Sequence, residues 1–202
     1  MSVIVLGISG KAEVGKDYVA ASLTGWQRFS LAWHFKVWAV AQGKATYAEV
    51  FETKPPHVRK LLQLAGTEEG RDVYGEDIWC DAAKAWIQIL ASVSDQDKSL
   101  FVIPDVRFPN EVAMIHSLGG RVLRIEAPQR AAKSRLTEEQ RLHPSEVALD
   151  NYDKFDGILH NDQNPIIDVD LQLMQHFRNF GWIQRDITDA QGASAQKAAQ
   201  AV

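Results

Sequence analysis

Val3-Ile4-Val5-Leu6-Gly7-Ile8-Ser9-Gly10-Lys11-Ala12-Glu13-Val14-Gly15-Lys16-Asp17 stands near the start of the chain and decides its fold. Residues 3–6 are a short apolar, β-branched run that ends at glycine, the composition of a strand buried in a parallel sheet. Gly10 to Asp17 follows the pattern G-x-x-x-x-G-K, with Asp where Ser or Thr is usual. Glycines let backbone N–H groups curl around phosphate oxygens. A helix read over 17–23 points its positive end at the same anion. Gly10, Ala12 and Gly15 are therefore candidates to cradle the phosphates of ATP, and Lys16 to reach the β- and γ-phosphates. Asp17 offers a hard anionic oxygen that suits Mg²⁺. It also adds negative charge beside the phosphates. The plain alternative is a glycine-rich turn with a solvated lysine.

The rest of the chain alternates strands and helices. Strands are expected over 28–31, 100–104, 121–125 and 157–160. Helices are expected over 32–41, from Pro55-Pro56 through Leu64, over 77–93, from Pro109 to Gly119-Gly120, and over 165–180. Thr137-Glu138-Glu139-Gln140 has the form of a capping box at a further helix start. Residues 186–202 are rich in Ala and Gln without an apolar face and read as a flexible C-terminal tail. This alternation implies an α/β fold with a mostly parallel sheet of about five strands. Ligands of such sheets sit at the carboxyl ends of strands, so chemistry is expected after Leu6, Pro104 and Ile125.

Composition narrows the function. The 202 residues are 46% hydrophobic and 24% charged, which suits one globular domain with a sizeable core. A net charge of −4 argues against a protein that coats duplex nucleic acid. Cys80 is the single cysteine, so no disulfide within the chain and no all-cysteine metal site is possible, and a reducing cytoplasm fits. No apolar run has the length of a membrane span, and the N-terminus lacks the basic flank of a signal peptide. The expected setting is the cytoplasm, with no membrane partner.

The run Leu100-Phe101-Val102-Ile103-Pro104 ends at Asp105, where phosphate-loop enzymes hold the acid that binds Mg²⁺ directly or through water. Asp17 and Asp105 are the candidate metal residues. Arg107 lies two residues on and in extended chain points to the same side. It is a candidate phosphate clamp, with an ion pair to Glu111 as the structural alternative.

Asp105-Val106-Arg107-Phe108-Pro109-Asn110-Glu111 resembles the signature of the bacteriophage deoxynucleoside monophosphate kinases. Gly15-Lys16-Asp17 agrees with that family's phosphate loop, which also carries Asp after Lys. Leu62-Gln63-Leu64-Ala65-Gly66-Thr67-Glu68 with Arg71 is similar to a further block, as are Gly75-Glu76-Asp77-Ile78-Trp79 and His143-Pro144-Ser145-Glu146. The similarity runs from about residue 3 to 161. One departure is Leu31-Ala32-Trp33-His34-Phe35-Lys36, which keeps the family's lysine but not its Asp-Pro pair.

The resemblance implies a three-layer P-loop NTPase fold over 1–185. It implies a helical acceptor-binding region at about 32–95 and a lid at about 127–145. The implied reaction moves the γ-phosphoryl group of ATP to a deoxynucleoside 5′-monophosphate, with Mg²⁺. Lys36, Arg59, Gln63, Glu68, Arg71, Trp79, Arg107 and Glu146 become acceptor-binding candidates. Trp79 at its helical spacing is equally a core residue. His143 and Glu146 fit a structural polar cluster as well.

Arg130, Lys133 and Arg135 follow the strand ending at Ile125 with no acid after Glu126. Nucleoside monophosphate kinases place an arginine lid there, so Arg130 and Arg135 join Lys16, Asp105 and Arg107 as catalytic candidates. The alternative is a solvated basic helix face. Two other readings stand beside the kinase: another small-molecule phosphate-loop kinase of the phosphomevalonate type, and a nucleotide-binding regulatory module without fast turnover. The sequence leaves base preference and oligomeric state open, with a homodimer as one candidate assembly.

Overall fold

The computed structural model describes residues 2–162 and 166–183; the tail expected over 186–202 lies outside them. The chain forms two compact units, Met1–Pro165 and Ile166–Val202. In the first, strand β1 (Ser2–Ser9) leads through the phosphate loop into helix α1 (Lys16–Ser22) and strand β2 (Gln27–Arg28). A helical region follows: α2 (Trp33–Ala41), a π-helical turn at Glu49–Thr53, α3 (Pro56–Gly66), a second π-helical turn at Thr67–Arg71, α4 (Asp72–Tyr74) and α5 (Ile78–Ser92). Then come β3 (Lys98–Val106), α6 (Pro109–Ser117), β4 (Arg121–Glu126), α7 (Pro128–Ala132), α8 (Glu138–Leu142), α9 (Pro144–Val147) and β5 (Gly157–His160). The second unit holds α10 (Ile166–Asn179), which ends before Gly181 at φ 72°, with the Phe177, Phe180 and Trp182 rings packed at its end.

The sheet has five strands in the order β2-β3-β1-β4-β5, and every pairing is parallel. The α/β fold with a parallel sheet is thus the observed one. The chain runs from β3 across β1 to reach β4, so the order reverses at β1. The crevice at a reversal is where open parallel sheets bind ligands, and the phosphate loop leaves β1 there.

Residue alternation explains the layers. Val5, Phe101, Ile103 and Val122 pack with Cys80, Ala83 and Ile87 of α5 and Val112 and Ile115 of α6. Leu6, Ile8, Val102 and Leu123 alternate with them along the strands and are also fully buried. Both sheet faces are therefore covered, which is why the strands read as unbroken apolar runs. Gly7 lets α6 approach: a Cβ there would stand 2.6 Å from Ile115 Cδ1. The insertion between β2 and β3 has a small core of its own, Ala39, Val50 and Val58 with Trp38, Leu61 and Leu62 around them. Among the described residues no helix is long and apolar enough to cross a membrane.

Two local features differ from or add to the reading of the sequence. The second strand ends at Arg28 rather than Leu31, because the chain turns to give its Leu31 and Ala32 N–H groups to Asp105. The two π-helical turns add to the helices expected over 32–93. The capping box at Thr137 is present, with Gln140 N–H donating to Thr137 Oγ1 and Thr137 N–H to Gln140 Oε1, both at 3.2 Å.

Candidate active site

The phosphate loop joins β1 to α1. Gly15 has φ 102°, a left-handed backbone in which a side chain is strained, and the Asn161 amide lies over the space a Cβ would need. Glu13 adopts φ 65° without being glycine, a conformation that costs energy and concentrates at functional sites. Lys16 is buried, and its Nζ donates to Gly10 O at 2.8 Å and Lys11 O at 2.5 Å. Burial first, and then the Arg107 charge, push its pKa down to about 7, against the opposing pull of Glu146.

Asp105 stands at the end of β3, as expected. Its carboxylate accepts from Ser30 Oγ at 2.6 Å and from the N–H groups of Leu31 and Ala32 at 3.1 Å. Lys36 Nζ reaches Ser30 Oγ at 3.3 Å, and burial lowers its pKa despite the nearby Asp105. Asp17 is exposed and pairs with Arg28 through Oδ1. Asp17 and Asp105 line one cavity. Among the described residues no group of three or more His, Cys, Asp or Glu is placed to hold a metal ion. Magnesium in phosphoryl-transfer sites takes one or two carboxylates plus phosphate oxygens, and these two acids beside the phosphate loop fit that donor set.

The cavity measures about 690 Å³. Lys36, Lys54 and Arg59 line it, and Lys54 and Arg59 make no side-chain hydrogen bond to the described residues. Lys54 has φ 47° although it precedes Pro55, a position that favours extended backbone. Burial lowers its pKa, followed by the charges of Arg28 and Arg59. Aromatic side chains form another part of the lining: Trp33, Phe35, and Tyr47 stacked on Phe51 with ring centroids 4.8 Å apart. Gln63 also lines the cavity, whereas Glu68 stands outside the lining and is exposed.

Two acceptor candidates are committed within the fold. Arg71 donates from Nη2 to Glu111 Oε1 at 2.5 Å and from Nη1 to Glu76 O and Asn110 Oδ1, and both members of the Arg71–Glu111 pair are buried. Trp79 donates from Nε1 to Gly66 O at 2.8 Å and packs edge-on against Phe35, so the ring is fixed while still touching the cavity. Cys80, beside it, is a core residue whose thiol is pushed up to about 12 by burial.

Arg107 makes a different ion pair from the one weighed in the sequence. Its backbone N–H, with that of Phe108, goes to Glu111 Oε2, while its guanidinium pairs with Glu146. In the expected lid, Arg130 Nη1 lies 3.9 Å from the Cβ position at Gly15, and the Arg135 N–H donates to Glu13 Oε2 at 3.3 Å. The structure thus brings Lys16, Asp17, Lys36, Arg59, Asp105 and Arg107 to one cavity. Reading the sequence missed Arg28, Lys54 and Asn161. Lys54 had one available signal, a cation directly before Pro55-Pro56. Arg28 and Asn161 had none, because only the sheet brings them to the loop.

No protein-family model matches the chain. It is 31% identical over 112 residues to a protein of Acanthamoeba polyphaga mimivirus assigned as a deoxynucleotide monophosphate kinase, covering 52% of this chain and 53% of that protein. It is 47% identical over 53 residues to the deoxynucleoside-5′-monophosphate kinase of Escherichia phage T5, covering 26% of this chain and 19% of the phage protein. The match therefore spans about half the length of the first of these curated relatives and less of the second. Among solved structures, TT1252 from Thermus thermophilus matches with a TM-score of 0.56 at 18% identity, over 89% of this chain and 98% of that one, which shows a shared fold.

Proposed function

We propose that the chain transfers the γ-phosphoryl group of ATP to a deoxynucleoside 5′-monophosphate, giving ADP and a deoxynucleoside diphosphate. The observation that carries this reading is one cavity lined by a phosphate loop, by aromatic rings, and by Lys36, Lys54 and Arg59, which form no ion pair among the described residues. The named relatives support the choice of acceptor, and the deoxy preference rests on them alone.

Phosphoryl transfer needs two anions held in line with their charge neutralised, and little covalent help. Gly10, Ala12, Gly15 and Lys16 hold the ATP phosphates. Asp17 and Asp105 would hold Mg²⁺, which would supply positive charge to offset that of the phosphates. Lys36, Lys54 and Arg59 draw the acceptor phosphate to the far side of the cavity. Its oxygen attacks the γ-phosphorus as the bond to the β–γ bridging oxygen breaks and ADP leaves. Arg107, Arg130 and Arg135 supply positive charge to the transferring group. Arg71 lines the same cavity and fixes Glu111 within it. The base lies among Phe35, Tyr47 and Phe51, with the Gln63 amide as a hydrogen-bonding group and Trp79 as the fixed rear wall. The cytoplasm, which supplies ATP and keeps Cys80 reduced, is the setting of this reaction.

A coupled assay of ADP release from ATP tests the reading across dTMP, dGMP, dCMP, dAMP, their ribose counterparts and phosphomevalonate. Acceptor-dependent turnover with at least one deoxynucleotide, faster than with its ribose counterpart, is expected. Turnover with phosphomevalonate alone, or none with any acceptor, removes it.

A further inference from the structure

We infer that Glu146 is a positioning residue whose carboxylate joins the phosphate loop to Arg107 and sets the spacing between the donor and acceptor phosphates. The inference rests on the phosphoryl-transfer reading of the site. Glu146 Oε2 accepts the Ala12 N–H of the phosphate loop at 3.1 Å. Its Oε1 takes Nη1 of Arg107, which also donates to Ser145 O at 3.2 Å. One carboxylate thus bridges a backbone donor of the ATP loop and a guanidinium that lines the acceptor cavity.

The bridge is built from both sides. The Glu146 side chain is 6% exposed. Lys11, itself in the loop, donates from Nζ to Glu146 O at 2.7 Å and to Asp150 Oδ2 at 2.6 Å. Helix α9 is held at its start by His143, whose Nδ1 accepts the Ser145 N–H at 3.2 Å. Arg107 is anchored at its other end, where its backbone N–H donates to Glu111 Oε2 at 2.5 Å. Among the described residues, Nε and Nη2 of Arg107 make no hydrogen bond, so those donors remain for a phosphate.

Charge gives the bridge its purpose. Arg107 is the neighbour that most disfavours the charged form of Lys16, and Glu146 the neighbour that most favours it. Without the Glu146 carboxylate, two cations would repel across the loop and the guanidinium would swing toward water. An in-line transfer does not tolerate that movement, since a misplacement of about 1 Å can cost on the order of a hundredfold in rate.

The test is a double-mutant cycle between Glu146→Ala and Arg107→Ala, read as kcat and KM in ADP release with whichever deoxynucleoside monophosphate the wild type turns over fastest. In the wild-type background Glu146→Ala is expected to lower kcat on the order of a hundredfold while KM for ATP changes less than about threefold. In the Arg107→Ala background the same change is expected to cost less than about twofold, because the residue it acts through is gone. Glu146→Gln keeps an acceptor for Ala12 and loses the charge, so a drop of about tenfold is expected. It carries the cycle if the alanine variant melts below the assay temperature. Equal losses in both backgrounds would show that Glu146 only props the loop, and the inference falls while the kinase reading stands. A wild-type protein with no acceptor-dependent turnover overturns both.

Discussion

Asn161 Nδ2 donates a hydrogen bond of 2.7 Å to the carbonyl of Val14, so the residue that follows β5 is fastened to the phosphate loop. Its backbone N–H donates to Glu126 O at 2.9 Å, which ties the same residue to the end of β4. Asn161 is buried, and its amide covers Gly15. Asn161→Ala is expected to leave the Val14 carbonyl unsatisfied and to lower stability by about 1–3 kcal/mol. ATP affinity should fall with it, by about tenfold, because a looser loop must be ordered on binding. Urea unfolding and calorimetric titration with ATP check the two effects. Unchanged ATP affinity in the variant would mean that the loop holds its shape without Asn161.

Arg71 and Glu111 form a second buried relationship, with consequences for pH. Their side chains are 7% and 5% exposed, and Arg71 also lies over the Phe108 ring at 3.9 Å. Burial raises the Glu111 pKa although Arg71 opposes the rise. Arg71→Leu strands a buried carboxylate and is expected to cost about 3–5 kcal/mol. It also raises the Glu111 pKa further. A carboxylate whose pKa is higher folded than unfolded binds more protons in the native state, so stability falls as pH rises between the two values. The deficit of Arg71→Leu should therefore be larger at pH 8 than at pH 5.5. Urea unfolding of both proteins at the two pH values measures it, and an equal deficit at both would mean that Glu111 does not titrate there.

Much of this was legible from local sequence, and the limits follow from what sequence neighbours can encode. The strands declared themselves because both faces of the sheet are covered, which makes runs such as Phe101-Val102-Ile103 uniformly apolar. The phosphate loop, Asp105 and Arg107 follow strand ends, and a parallel sheet gathers strand ends at one edge. Lys36 and Arg59 could be named only through the resemblance. What stayed hidden depends on partners far along the chain. The Glu146 carboxylate meets Ala12, Lys11 meets Asp150, and Asn161 meets Val14, none of which a spacing rule connects. Arg28 falls in the same class, since its pairing with Asp17 needs β2 to lie beside β3.

That pairing sharpens the expectation for Asp17. Arg28 holds one carboxylate oxygen, and both residues are partly exposed, so the ion pair is worth little and does not prevent metal binding. With Asp17 and Asp105 near triphosphate oxygens, like charges repel unless a divalent cation sits among them. ATP binding should depend strongly on Mg²⁺, and Asp17→Asn should weaken that dependence while improving ATP binding in the presence of a chelator. Calorimetry on both proteins, with Mg²⁺ and with chelator, reads the difference. If the variant keeps the wild-type Mg²⁺ dependence, Asp17 only serves the helix start, an effect of about 0.3–1 kcal/mol through the helix dipole.

Lys16 gives the last prediction. Its pKa falls from 10.5 to about 7 through burial and the charge of Arg107, so at pH 8.3 the amine is largely neutral before substrate binds. A polyphosphate beside Nζ favours the charged form and raises the pKa again. ATP binding at pH 8.3 is therefore expected to take up a proton at Lys16, approaching one per site. The uptake should shrink below about pH 6, where the amine is already protonated in the free protein. The same depressed value fixes the sign of the free protein's stability. Between about pH 7 and 10.5 the unfolded chain binds the extra proton, so Lys16 makes the fold more stable as pH rises through that window. Lys16→Arg keeps a cation that does not titrate. Titration of ATP at pH 8.3 in buffers of different ionisation enthalpy measures proton uptake as the slope of heat against buffer enthalpy. At that pH the terminal phosphate of ATP is already ionised, since phosphate groups of this kind titrate near pH 6. Wild type should show a positive slope and Lys16→Arg a slope near zero. Equal slopes in the two proteins would mean that Lys16 is charged in the free protein and that its burial is offset by the Gly10 and Lys11 carbonyls that it contacts.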